Sequence, residues 1–232
     1  MGALGVRLLV DTGVDDALGL VAAVLHPRLE LVEAIAVAGN VGLGQALTNT
    51  RFVLGRLGAG AVPVTAGAAR RADGQPYVGR EVHGPDGLAG VVGPSDVVLE
   101  TEPVASPLAL ADADAVLVCL GPLTTLMEWP PGQVLATYAR PGEANHELDP
   151  DAAQRVRAAW QLRDGSVLTD AVPAVDWRPR TGLGRLVAAL LDHQAARGAG
   201  LGDADTVLRL AGESRPAQAL IDVVRTWESV RT

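Results

Sequence analysis

The chain has 232 residues, 48% hydrophobic and 3% aromatic, and a formal net charge of −8. That length suits one large domain with a core of its own, and a lone cysteine, Cys119, excludes an intramolecular disulfide framework. All 19 basic residues are arginine, which excludes Schiff-base and P-loop lysine chemistry, and the acidic balance argues against nucleic acid as a partner.

In chain order, Val6–Val10 reads as a buried strand broken by Asp11-Thr12-Gly13. From Asp15 the apolar positions Leu18, Leu20, Val21, Val24 and Leu25 follow helical spacing up to Pro27. Leu29–Val37 is a nearly continuous apolar run, as expected of a strand covered on both faces, and Gly39-Asn40 ends it. Leu43–Leu57 is helical in period, with Leu47, Phe52 or Thr50, Leu54 and Leu57 as its inner stripe. Val62–Ala66 is a third strand. Arg70–Gly93, rich in Gly, Pro and charge, is too long for an ordinary connection and reads as a functional loop. Ala115–Leu120 is a strand closed by Gly121-Pro122. Asp149 as N-cap and Pro150 at the first helical position open a helix to about Leu162. A short strand at Val167–Thr169 follows, then helices over Leu183–Ala196, Asp205–Leu210 and Pro216–Val230. The alternation predicts an α/β fold: a mostly parallel, doubly wound, Rossmann-like sheet with helices on both faces, in a single domain over 1–232. No apolar run approaches the ~20 residues that span a bilayer. Met1–Val10 has only Arg7 as a basic residue, so the expectation is a soluble cytoplasmic protein with no membrane partner.

Five segments carry chemistry. Asp11, Asp15 and Asp16 sit where a strand ends and a helix begins, the ligand crevice of a doubly wound sheet. They could be a cap and first-turn acids. Against that, two carboxylates about 4 Å apart repel by roughly 4 kcal/mol at an effective dielectric of ~20. Three in one crevice call for a cation or a shared proton, and oxygen ligands select Ca²⁺ or Mg²⁺. Asn40 ends the second strand at the same sheet edge. His83 and Asp86 lie in a glycine-dense run that ends at Gly90, a backbone shaped for close approach to a ligand. Glu143 and Asn145 precede the Asp149 cap and could offer an acceptor and a donor to a polyol. Leu201-Gly202-Asp203 reads as a loop entering a helix.

In this order the segments resemble the inosine-uridine-preferring nucleoside hydrolase family. The residues that carry the resemblance are Leu9 to Asp16, Ala36 to Asn40, Val62 to Ala68, His83 to Gly90, Leu120 to Thr125, and Glu143 with Asn145 and Asp149-Pro150. The resemblance implies hydrolysis of a ribonucleoside N-glycosidic bond to free base and ribose. It implies Ca²⁺, with Mg²⁺ as the other hard cation of that donor set, held by Asp11, Asp16, Asp203 and the Leu120 carbonyl, with Asp11 also the base. It places Asp15, Asn40, His83, Glu143 and Asn145 on the substrate, and it implies a homo-oligomer, dimer or tetramer. Leu9, Thr12 and Gly202 stand where the family has an aspartate, a proline and, in many members, a histidine acting as leaving-group acid. A relative that keeps the ribose and metal site without hydrolysis is the alternative; a metal-dependent phosphatase is the third, disfavoured by the missing lysine and phosphate-cradling loop.

Overall fold

The structure is a computed structural model that describes residues 2–77, 81–92, 115–165 and 179–231. Its strands are β1 (Leu4–Val10), β2 (Leu29–Ala36), β3 (Val64–Ala66), β4 (Ala115–Cys119), β5 (Gln133–Ala136) and β6 (Gln161–Asp164). Its helices are α1 (Val14–Leu25), α2 (Leu43–Leu57), α3 (Ala144–Leu148), α4 (Pro150–Ala159), α5 (Gly182–Ala196), α6 (Asp203–Leu210) and α7 (Pro216–Val230), with 3-10 turns at Glu81–His83 and Leu123–Glu128. The strands form one sheet in the order β3-β2-β1-β4-β5-β6, and every pairing is parallel. The order reverses between β1 and β4, so the crevice between their carboxyl ends is the topological switch point.

The sheet is central because β1 is apolar on both faces. Val6, Leu8 and Val10 pack into a core with α1, α5, α6 and α7, while Leu9 faces a second core with Ile35, Cys119, Trp129 and Trp160. Helix α1 is buried almost all round since α2, α5, α6 and α7 all pack on it. The charged exception on β1 is Arg7, which pairs with Glu33 on β2 at 3.4 Å, where the register shifts between Val6 and Arg7.

The helices over Leu43–Leu57 and Pro216–Val230 run as their periodicity predicts. In α2 the inner position is Thr50, fully buried; Phe52 is half-buried beneath the Arg56 guanidinium, 4.9 Å from its ring centre. Asp149 does cap α4, its Oδ1 accepting from the Ala152 N–H. The helix stops at Ala159 rather than near Leu162, because Trp160 is anchored in the core and Gln161–Asp164 pairs with β5 as an edge strand. Strands β5 and β6 and helix α3 are not evident in the sequence pattern, and α6 begins two residues earlier than predicted. The strand expected at Val167–Thr169 lies outside the described residues. No helix among them is long and apolar enough to cross a membrane.

Leu8 is fully buried in the central strand. Leu8→Ala is expected to lower unfolding free energy by about 2–5 kcal/mol, read from the urea midpoint at constant m.

Candidate active site

The site grows from the switch point. Directly after β1, Asp11 is 1% exposed and its Oδ2 accepts the Asn40 backbone N–H at 2.6 Å. A Cβ on Gly39 would stand 2.1 Å from that same oxygen, so the Gly39-Asn40 turn must carry glycine to let the carboxylate in. Thr12 follows with a left-handed φ of 31°, a strained conformation that its neighbours must hold. Helix α2 holds it: Thr50 shares a hydroxyl–hydroxyl bond of 2.7 Å with Thr12, and Asn49 Nδ2 donates to the Thr12 carbonyl at 3.1 Å. Gly13 caps α1, and its N–H donates to Asp16 Oδ2 at 2.8 Å. Neither Asp11 nor Asp15 acts as the side-chain cap.

The His83 loop is fastened from three directions. Asp86, fully buried, accepts the N–H groups of Leu88, Gly90 and Val92. Asn49 Nδ2 also donates to the Asp86 carbonyl at 2.8 Å, which ties this loop to the Thr12 turn. From the end of α5, His193 Nε2 and Arg197 both donate to the Val82 carbonyl. His83 Nδ1 thereby accepts the Val14 N–H at 3.3 Å. The neutral ring then carries its proton on Nε2, 3.7 Å from Asp15 Oδ1. Burial lowers the His83 pKa against the opposing pull of Asp15, which favours that neutral ring.

The other wall comes from the second half of the chain. After β4, the Leu120 carbonyl accepts Asn145 Nδ2 at 2.6 Å, and the same nitrogen donates to the Thr137 carbonyl at 3.1 Å. The Thr137 hydroxyl donates to Asp203 Oδ1 at 2.5 Å. Asp203 opens α6, so the N-termini of α1 and α6 both meet the site, with partial positive charge toward the acids. Gly202 before it has a φ of 59°, and a Cβ there would lie 2.8 Å from Asp15 Oδ2.

Carboxylate oxygens of Asp15, Asp16 and Asp203 lie within 4.8 Å of one another. Asp11 Oδ1 and Asp16 Oδ1 are buried without a hydrogen-bond partner among the described residues. Burial pushes the Asp11 carboxyl up to about 7, resisted by the Asn40 N–H and reinforced by Asp15. Burial first, and then the neighbouring acids, holds Asp16 and Asp203 well above the usual carboxylate range. This assembly can hold a hard cation by oxygen alone, or share protons without one. Beside it opens a cavity of 550 Å³ lined by Asp15, Asn40, His83, Tyr138, Gln194 and Asp203, among others, a volume suited to a small organic ligand.

Asp11, Asp15, Asp16, Asn40, His83, Leu120, Asn145 and Asp203 therefore meet at one place. Asn145 spends its amide nitrogen on the Leu120 and Thr137 carbonyls. Glu143 is turned back on its own loop, its Oε2 accepting the Arg140 N–H at 2.7 Å. Sequence reasoning missed Thr137, Asn49, Tyr138 and Gln194. The φ of 48° at Tyr138 leaves no mark in the sequence, and buried polar residues on the inner face of a helix, as at Asn49, are the one signal that was available.

Raised carboxyl pKa values make folding bind protons. Without a cation, the stability is full below about pH 4, the unfolded carboxylate range, and is lost as pH rises through about 7, where Asp11 ionises. In chelator the melting temperature should fall from pH 5 to pH 8, and added Ca²⁺ should cancel that slope, as differential scanning fluorimetry can record. Gly39→Ala should displace Asp11 and remove most of the Ca²⁺-induced shift.

The model of the inosine-uridine preferring nucleoside hydrolase family matches residues 7–129, more than half of the chain. Pyrimidine-specific ribonucleoside hydrolase RihA of Shewanella sp. (strain MR-4) is 31% identical over 121 residues, which are 50% of this chain and 38% of that protein. Non-specific ribonucleoside hydrolase RihC of Escherichia coli (strain SE11) is 34% identical over 131 residues, 53% of this chain and 42% of that one. The matched part thus spans about two-fifths of these curated relatives. Among solved structures, the purine-preferring ribonucleoside hydrolase from Gardnerella vaginalis superposes with a TM-score of 0.66 at 22% identity, over 89% of this chain and 79% of that one. The plant nucleoside hydrolase PpNRh1 gives 0.64 at 21% identity, over 95% and 78%. These two likenesses establish a shared α/β fold.

Proposed function

The chain belongs to the inosine-uridine preferring nucleoside hydrolase family, and on that footing we propose that it hydrolyses the N-glycosidic bond of ribonucleosides to free base and ribose. The observation that carries the reading is the packing of Asp15, Asp16 and Asp203 within 4.8 Å, beside a cavity of nucleoside size. The partnerless buried oxygens Asp11 Oδ1 and Asp16 Oδ1, together with an all-oxygen donor set, fit a hard divalent cation. Asp11, Asp16, Asp203 and the Leu120 carbonyl would hold it, with Ca²⁺ the expected ion and Asp15 a further carboxylate within reach. Such a cation, when bound, polarises hydroxyls and makes water more acidic.

The protein's own groups supply the rest. Asp11, held by the Asn40 N–H, would be kept ionised by a bound cation and so able to take a proton from the attacking water. Water adds to the anomeric carbon as the bond to the base nitrogen breaks, and that nitrogen ends protonated. The carboxylates favour the positive charge that develops on the sugar. Asp15 accepts from a sugar hydroxyl, Asn40 donates to one, and His83 presents its Nε2–H beside Asp15. Asn145 aims the Leu120 carbonyl, and Thr137 aims Asp203.

Incubation with common nucleosides and Ca²⁺ should release ribose, measured as reducing sugar, and chelator should stop it. Asp11→Asn should lower kcat/KM by about 10²–10⁴. No release from any nucleoside with Ca²⁺ present would sink the hydrolase reading. The second reading, ribose binding without turnover, is favoured by Glu143 being engaged by Arg140 and by Gly202 offering no side chain. It predicts that ribose raises the melting temperature while no base is released.

A further inference from the structure

Gln194 lines the cavity and has no part in the carboxylate chemistry. It sits in the last turn of α5 and is 4% exposed. Its backbone is fixed, since its carbonyl accepts the N–H groups of Arg197 and Ala199. Its side-chain amide has no hydrogen-bond partner among the described residues. The other buried carboxamides among the described residues are committed: Asn145 to Leu120 and Thr137, Asn49 to Thr12 and Asp86, and Gln45 to Asn49. An unpartnered carboxamide that keeps access to a cavity is free to bond a ligand there.

We propose that Gln194 reads the aglycone: it selects a nucleobase whose edge places a hydrogen-bond donor beside an acceptor, as a ring lactam or amidine does. This rests on the reading that the carboxylates take the sugar. A primary amide presents N–H and C=O side by side, and pairs with such an edge through two bonds. By turning over, it meets either order of donor and acceptor, so it accepts both lactams and amidines and rejects a base lacking the pair. The sugar hydroxyls are answered by Asp15 and Asn40 on the carboxylate side of the cavity. Tyr138 lines the same cavity.

Inosine and purine riboside test this, since they share the sugar and the bond to be broken, and purine riboside lacks the lactam. The measurement is the ratio of kcat/KM for the two in the unaltered chain and in Gln194→Met, which keeps side-chain length. The ratio should fall by about ten- to a hundred-fold in the variant, while inhibition by free ribose stays as it was. An unchanged ratio overturns the assignment, and so does loss of ribose inhibition, which would place the amide on the sugar. If Gln194→Met does not melt cooperatively, Gln194→Glu removes the donor and should lower the ratio in the same direction. Absence of turnover with both nucleosides in the unaltered chain would count against the hydrolase reading alone. Calorimetric titration with hypoxanthine and with unsubstituted purine then decides Gln194: preference for hypoxanthine that disappears in the variant supports it, and equal binding overturns it.

Discussion

Mutual repulsion among buried carboxylates is the constraint around which this molecule is arranged. Asp15, Asp16 and Asp203 bring oxygens within 4.8 Å, and Asp11 sits beside them with one oxygen unpartnered. Charges so close in a dry crevice cannot all persist without compensation. The fold supplies part of it: two helix N-termini, the Asn40 and Gly13 N–H groups and the Thr137 hydroxyl all face the acids. What they leave uncompensated is a demand for protons or a cation. Gly39 and Gly121 have no side chain for the same reason, since a Cβ at either would crowd Asp11.

The loops that carry these groups are stiffened by buried polar bonds as well as by apolar anchors such as Leu88. Asn49 fastens two of them at once, through the Thr12 and Asp86 carbonyls. The Val82 carbonyl takes a second anchor from His193 and Arg197 at the end of α5. The turn that ends α5 therefore sets both where His83 stands and where Gln194 sits, which couples the carboxylate side of the cavity to its other wall.

Much of the site was legible because the acids fall at strand ends. The three acids Asp11, Asp15 and Asp16 follow an apolar strand and open an apolar helix, and Asn40 follows the next strand. A parallel sheet brings such positions to one edge whatever the intervening detail. Asp203 was legible only through the family resemblance, because an acid opening a helix is otherwise ordinary. Side-chain direction was not legible: Glu143 and Asn145 stand at the expected positions, yet one turns to Arg140 and the other to a carbonyl. Strands β5 and β6 escaped notice because both are four residues long and β6, on the sheet edge, is largely exposed, so no apolar run announces it. Gln194 escaped because one amide on an amphipathic helix looks like surface until the turn beyond it is placed.

The switch point also divides the site along the chain. Asp11, Asp16, Asn40 and His83 are made early in synthesis, and Asp203 comes nearly two hundred residues after Asp11. Helix α6, which delivers Asp203, is also a large part of what covers α1. While the chain is being made, its first three strands can pair, but α1 lacks that cover and the acids lack their last member. Strong cation binding would then be a property only of a chain long enough to include α6. The ion would arrive as a late event of folding, joining the turn after β1 to the start of α6, and would spare the nascent chain from being locked around half a site.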